Sequence, residues 1–398
     1  MTDAAGAAEP ASVARTATGR GGDVTFVIRS LGLGGAERQL IELARGLMTR
    51  GWTVRVVAFY PGGELRPDLE RAGVPVEDLA KRGRWDLLSF ARLVRILRRE
   101  RAPIVHAYLG EANLVVAALR PLLACRVVVW GIRSADLSRN RQDWLSGVIG
   151  RLNRLLARRA DLIICNSGAG MRVHAAEGYP AARMTVVPNG VDTQRFAPDP
   201  DARARVRSEW RVEPGELVLG LVGRLDPIKG HEVLLRAMAP SAAEARLRVV
   251  FVGTGPDDYR EGLAALATQL GIADRVVWAG PRTDMPAVYA AMDLLVSASH
   301  GEGFSNVIAE AMACGVPCVV TDVGDSADIV GDVGWTCPPD DPAALGAAIG
   351  QAVREPATLA ERGGAARARI VGTYDTQRLI ERTAERLTTT LEAKRPRR

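Results

Sequence analysis

Two acidic residues, Glu302 and Glu310, stand eight positions apart in GEGFSNVIAEAMACGVP, residues 301–317. The pattern predicts a helix that starts near Ser305–Asn306 and stops at Gly315, ahead of Pro317. The amides of Phe304, Ser305 and Asn306 then lack intrahelical partners and, with the helix dipole, make an anion site. Glu302 sits in the loop before that site. Glu310 sits inside the helix, where side chains lean back toward the N-terminus. A carboxylate accepts hydrogen bonds from two adjacent hydroxyls at once. Two carboxylates around an anion cradle therefore suit a ligand carrying a diol, a diphosphate and a second polyhydroxylated ring, as a nucleotide-sugar does. The plainer alternative is a helix-surface glutamate and an exposed loop acid.

Two further stretches favour anions. LGLGGAE (31–37) joins a strand to a helix, where glycines let backbone N–H groups approach a phosphate; the alternative is a tight turn needing positive φ. Read as dinucleotide fingerprints, this stretch and FVGTGPDD (251–258) both lack the third glycine, which speaks against a dehydrogenase. GRLDPIKG (223–230) places Arg224 and Lys229 five apart in a loop stiffened by Pro227. Such a pair suits a diphosphate or belongs to a solvated surface loop.

The elements around these residues alternate. VTFVIRS, TVRVVAFY, PIVHAYL, RVVVWGIR, DLIICNS and MTVVPNG read as buried strands with helical stretches between most of them. After the Pro/Asp-rich FAPDPDARA (196–204) the pattern restarts with LVLGLVGRL, RLRVVFVG, RVVWAG, LLVSAS and PCVVTDVG. Val/Ile/Leu runs alternating with helices mean parallel sheets covered on both faces. The reading is an α/β chain of two tandem Rossmann-like domains whose strand C-termini face a central cleft. Its divisions are a disordered tail over 1–22, an N-terminal domain over 23–196 and a linker over 197–204. A C-terminal domain over 205–372 and a last helical segment over 373–398 follow.

Composition bounds the function. The 398 residues hold 52 Lys/Arg against 46 Asp/Glu, net +6, and the excess of positive charge lies in the first half. A basic face suits phosphorylated substrates or an anionic membrane surface. LLSFARLVRILRRERAP (87–103) and RLNRLLARRA (151–160) are basic amphipathic helices that either lie on anionic lipid or pack on the sheet with their arginines in water. No aromatic-rich surface for nucleic acid stands out. The five cysteines form no CxxC pair, which points to free thiols in a reducing cytoplasm rather than disulfides or zinc. No apolar run is long enough to span a bilayer.

GGAERQL (34–40), CNSGAGMRVHAAEGYP (165–180), VVPNGVDTQRF (186–196), GRLDPIKG (223–230) and EGFSNVIAEAMACGVPCV (302–319) occur in an order that resembles glycosyltransferase family 4, retaining enzymes of the GT-B fold. The resemblance covers about 24–392. It implies that Arg224 and Lys229 neutralise the donor diphosphate, and that Glu310 holds the ribose hydroxyls. Glu302 would contact the transferred sugar, and Arg224, Lys229 and Glu302 form the catalytic set. The amides of Gly303, Phe304, Ser305 and Asn306 would bind sugar and phosphate, with Gly34 and Gly35 closing from the other domain and the base near Gly280–Thr283. The final helix would cross back to the first domain. No cofactor and no metal are implied beyond the nucleotide-sugar co-substrate, and the acceptor is a glycan or lipid-linked hydroxyl. The family's histidine after the strand in VVVWGIRSADLS is missing. Arg133 stands there, and His106, Tyr108, Glu111 and Asn113 are the other acceptor-side candidates. A nucleotide-sugar epimerase or a non-catalytic binding protein on the same fold are the alternatives. The implied place of work is the cytoplasm or the inner face of the cell membrane.

Overall fold

The computed structural model describes residues 22–83, 86–133, 144–240, 246–354 and 356–394. The expected tail, apart from Gly22, lies outside the described residues.

The strands of the first half are β1 (Asp23–Ile28), β2 (Thr53–Ala58), β3 (Val76–Asp78), β4 (Ile104–Tyr108), β5 (Val127–Ile132), β6 (Leu162–Cys165) and β7 (Met184–Val186). Those of the second are β8 (Leu217–Val222), β9 (Leu247–Val252), β10 (Val276–Gly280), β11 (Leu294–Ser297), β12 (Cys318–Thr321) and β13 (Trp335–Cys337). The sheets run β3-β2-β1-β4-β5-β6-β7 and β10-β9-β8-β11-β12-β13, and all the strand pairs are parallel. The interior strands are apolar almost throughout because both faces are covered by helices. The two-domain α/β reading holds.

The helices of the first half are α1 (Gly35–Thr49), α2 (Arg66–Arg71), α3 (Leu87–Glu100), α4 (Leu109–Leu119), α5 (Trp144–Ala157) and α6 (Gly168–Ala176). Next come α7 (Pro200–Glu209), α8 (His231–Met238), α9 (Asp257–Gln269), α10 (Met285–Ala290) and α11 (Asn306–Ala313). The chain closes with α12 (Ser326–Val330), α13 (Pro342–Val353), α14 (Pro356–Thr373) and α15 (Thr376–Ala393).

The structure departs from the sequence pattern in three places. α7 begins inside the stretch read as a linker, because Asp199 caps it by accepting from the Ala202 amide at 2.9 Å and Pro200 suits the first helical position. β3 and β13 have three residues each and lie at sheet edges, too short to show a period. On α3 the spacing puts Leu87, Phe90, Val94 and Leu97 on one side, whereas among the described side chains Ser89, Leu93, Ile96 and Leu97 are buried and Phe90 and Val94 lie at the margin.

Two passages of chain cross between the domains side by side. The Val191 amide donates to Tyr374 O at 2.8 Å, and the Thr376 amide donates to Val191 O at 3.0 Å. Gly190 lies flat on this crossing, since a Cβ there would stand 2.7 Å from Thr376 Cα. Beyond it, α15 packs on α1. Leu379, Ile380 and Leu387 join the first domain's core with Leu40, Leu43 and Leu47. Gly46 permits the approach, because its Cβ would stand 2.0 Å from Ile380 Cδ1.

In each sheet the winding reverses beside the first strand, between β1 and β4 and between β8 and β11. Ligands of open α/β sheets bind outside the strand C-termini at such switch points. The loops that leave β1, β8 and β11 are those carrying Gly34–Gly35, Arg224–Lys229 and Glu302–Asn306.

Candidate functional site

The second domain brings Lys229 and Glu302 together. Asp226 caps the short turn Pro227–Lys229 by accepting from the Ile228 amide at 3.1 Å, and Gly230 (φ +67°) turns the chain into α8. Lys229 Nζ then reaches Glu302 Oε1 at 2.5 Å, and Ser299 Oγ donates to the same oxygen at 2.9 Å. His300 N donates to Ile228 O at 2.8 Å, which ties the β8 and β11 loops to each other. The loop after β12 braces the same place. The Asp325 amide donates to Gly303 O at 3.0 Å, and Gly324 (φ +62°) packs against Glu302 O. Arg224 extends into solvent, 65% exposed, with its guanidinium 3.6 Å from Asp226.

Glu310 lies in the second turn of α11, where Tyr289 of α10 donates its hydroxyl to Oε2 at 2.8 Å. Burial raises the carboxyl above its ordinary range, against the Tyr289 hydrogen bond and the charges of Arg38 and Arg195. Burial, together with the Glu310 charge, holds the Tyr289 hydroxyl protonated. Ser305 precedes α11 without a side-chain cap, so the first-turn amides keep their donors for a ligand. Beside these loops, Phe251, Gly253–Gly255, Asp257, Trp278, Gly280 and Pro281 help line a cavity of ≈ 270 Å³.

The first domain meets this edge closely. Gly34 precedes α1, and a Cβ on it would stand 2.0 Å from Glu37 Oε2, so the Glu37 carboxylate folds over the turn. A Cβ on Gly35 would stand 2.7 Å from Asn306 Nδ2. Asn189 Nδ2 donates to Asn306 Oδ1 at 2.8 Å, and Arg133 Nη1 donates to Asn189 Oδ1 at 3.1 Å. Farther along, the amides of Gly168 and Ala169 at the start of α6 donate to the Asp325 carboxylate at 2.7 and 2.8 Å.

The acceptor-side candidates divide. His106 is a correction. It sits inside β4, fully buried between Phe26 and Tyr108, with ring centroids at 5.1 and 4.9 Å, and does not reach the cleft. Burial, reinforced by Arg133, holds it well below its ordinary pKa and so neutral. Asn113 is turned inward and donates to Gly131 O at 3.0 Å. Tyr108 is buried too, with its hydroxyl taken by Arg133, whose guanidinium lies 4.4 Å from the ring centre. Glu111 is held by buried Lys81 at 2.5 Å and by Arg29 at 3.4 Å. Arg133 is the candidate that touches the cleft's other wall through Asn189.

Sequence reasoning missed Tyr289, Ser299, Lys81 and Asp325, whose relevance comes from folding alone. Asn189 lay inside the quoted VVPNGVD, where its polar amide before a glycine was the available signal. The five cysteines are free thiols, four of them buried. Among the described residues no group of three or more His, Cys, Asp or Glu side chains could hold a metal ion, and no helix is long and apolar enough to cross a membrane.

Known proteins resemble this chain in sequence and in fold. A family model described as Glycosyltransferase Family 4 matches residues 33–195, and one described as Glycosyl transferases group 1 matches 216–355. The chain is 37% identical to the D-inositol 3-phosphate glycosyltransferase of Acidothermus cellulolyticus over 372 residues, 84% of this chain and 82% of that one. It is 35% identical to the GDP-mannose-dependent alpha-(1-6)-phosphatidylinositol monomannoside mannosyltransferase of Mycolicibacterium smegmatis over 230 residues, 54% of this chain and 58% of the relative. With the D-inositol 3-phosphate glycosyltransferases of Segniliparus rotundus and Mycobacterium marinum the match takes in 35% and 36% of the relative's length. Among solved structures, Anabaena Alr3699/HepE in complex with UDP superposes with a TM-score of 0.83 at 27% identity, covering 92% of this chain and 100% of that one.

Proposed function

Because the chain belongs to glycosyltransferase family 4, we propose that it moves a sugar from a nucleotide-diphosphate sugar to a hydroxyl of a glycan or lipid-linked acceptor, with retention of anomeric configuration and without a metal ion. The observation that carries this reading is Lys229, Glu302 and Ser299 gathered beside the uncapped start of α11, with Gly35 of the other domain against Asn306.

The physical problem in such a transfer is negative charge building on the leaving diphosphate. Lys229, Arg224 and the α11 amides supply fixed positive potential there, and preorganised donors of this kind are usually the largest single contribution to catalysis. Glu302 holds Lys229 in place and offers its second oxygen to hydroxyls of the transferred sugar. Glu310, kept oriented by Tyr289, accepts from the ribose diol, and the cavity by Gly280–Pro281 takes the base. In the reacting step the anomeric carbon–phosphate oxygen bond breaks and a bond to the acceptor oxygen forms on the same face. The acceptor proton passes to the departing phosphate oxygen. Arg133 and Glu111 stand on the acceptor side.

A second reading, an inositol phosphate hydroxyl as acceptor, is favoured by the Acidothermus cellulolyticus relative. The basic first domain also suits work at the inner face of a membrane, where α5 exposes Leu152 and Leu155 next to Arg151. Flotation with and without anionic lipid in the vesicles tests that placement. The reaction itself is tested by incubating the enzyme with UDP-glucose or GDP-mannose in EDTA, with myo-inositol phosphate or a polyprenyl-linked glycan as acceptor, and reading product anomers by NMR. An α-linked product formed in EDTA is expected. An inverted product, a strict metal requirement, or epimerised donor without transfer overturns the corresponding part.

A further inference from the structure

We propose that Arg133, Asn189 and Asn306 form a polarity relay across the cleft. In it, a guanidinium in the first domain fixes which atom of the Asn306 side chain faces the donor's phosphates. The inference deepens the donor-site reading above and rests on it.

The geometry is a chain of hydrogen bonds with a fixed sense. Arg133 Nη1 donates to Asn189 Oδ1 at 3.1 Å, and Asn189 Nδ2 donates to Asn306 Oδ1 at 2.8 Å. A guanidinium has donors only, so it accepts nothing from a neighbouring amide. Asn189 must therefore turn its oxygen to Arg133 and its NH2 to Asn306. Asn306 must answer with its oxygen, which leaves its own NH2 facing away from Asn189. That NH2 stands beside the Gly34–Gly35 turn, at 2.7 Å from where a Gly35 Cβ would be. A pair of asparagines alone satisfies its hydrogen bond in either sense; the charged donor at the far end selects one.

The middle member is built for this. Asn189 is 3% exposed, and its neighbour Gly190 is pinned by a reciprocal pair with Gln39, at 2.8 and 2.9 Å. Arg133 is itself fixed by the Tyr108 hydroxyl and ring. The consequence is that Arg133, in the acceptor half, is a positioning residue for the donor. It makes the first residue of α11 present one more N–H donor toward the place proposed for the diphosphate.

The test is a double-mutant cycle on nucleotide affinity, measured by calorimetry with UDP and with GDP. Asn306→Ala, Asn189→Ala and Arg133→Gln are each expected to weaken binding of the preferred nucleotide roughly 5- to 10-fold, the worth of about one hydrogen bond. In the Asn306→Ala background, Asn189→Ala or Arg133→Gln is expected to add less than about twofold, because the relay has lost its last member. Asn189→Asp accepts from both neighbours, so the link is kept but its sense is reversed. It should weaken UDP or GDP more than Asn189→Ala does, with an unchanged melting temperature and unchanged affinity for the matching nucleoside. A purely structural role for Asn189 would give the opposite order and additive losses. Additive losses, unaltered affinity in Asn189→Ala, or wild-type affinity in Asn189→Asp overturn the relay. If Arg133→Gln does not fold, the Asn189→Ala and Asn306→Ala cycle decides alone. Binding that needs Glu310 yet shows additive losses sinks the relay only, whereas failure of both nucleotides to bind the wild type removes the donor reading and the relay with it.

Discussion

The two walls of the cleft use their polar residues in opposite ways. In the second domain Lys229, Glu302, Ser299, Glu310 and Tyr289 converge at the β8/β11 switch point, with donors and acceptors left over for a ligand. In the first domain the corresponding side chains spend themselves on protein. His106 and Asn113 are buried, Tyr108 is bound to Arg133, and Glu111 is bound to Lys81. The lesson is that one wall is built to hold charge and the other to hold shape. Under the proposed function, acceptor specificity would reside in the contour of the first domain more than in a charged side chain, and catalysis in the second.

Substitutions on the two walls sharpen or break that comparison. Lys229→Ala removes the cation proposed to face the leaving diphosphate and should lower kcat/KM by about 10²- to 10³-fold in steady-state assays. A loss below tenfold would put the catalytic charge elsewhere. Gly190→Ala addresses the crossing between the walls. Its Cβ meets Thr376 backbone, which has no rotamer to yield, so thermal unfolding should show a loss of about 1–3 kcal/mol.

Glu310 links fold and ligand through pH. Its carboxyl is raised by burial, so on raising the pH the unfolded chain ionises it before the folded protein does. The fold is therefore penalised by this residue once the pH exceeds the ordinary carboxylate range, and fully so above the raised pKa. Glu310→Gln should raise the melting temperature at neutral pH, and the gain should vanish on acidification. Binding runs the other way. In the proposed function the ionised form is the one that accepts from the ribose diol, so nucleotide affinity should fall on acidification through the raised pKa. Tyr289→Phe should move that limb to higher pH and weaken binding about 5-fold, the worth of one hydrogen bond. A pH-independent affinity would break the assignment.

The smallest effect belongs to the other wall. Among the described residues neither buried His106 ring nitrogen has a hydrogen-bond partner, so His106→Phe should keep kcat/KM within about twofold and should not lower stability. A large loss of activity would mean that the first domain also contributes charge.

These contrasts also mark what a sequence can say. The second wall was legible because its chemistry is local. A strand, a glycine turn and a helix start put Glu302, the α11 amides and Glu310 within ten residues of each other. The sheets were legible because interior parallel strands are apolar at nearly every position. The first wall was not, because whether His106 faces core or cleft depends on its place within β4, and whether Glu111 is free depends on Lys81, thirty positions earlier. Asn189 and Asn306 meet from 117 positions apart, and nothing in either motif names the other.

The packing of α15 has a consequence for the order of events at the ribosome. The first domain is synthesised first, yet Leu379, Ile380 and Leu387, which cover Leu40, Leu43 and Leu47, are among its last residues to emerge. Its apolar flank stays open while the whole second domain is being made, and its core is closed only when α15 packs on α1. A stop codon before residue 379 would therefore damage the domain farthest from it in sequence.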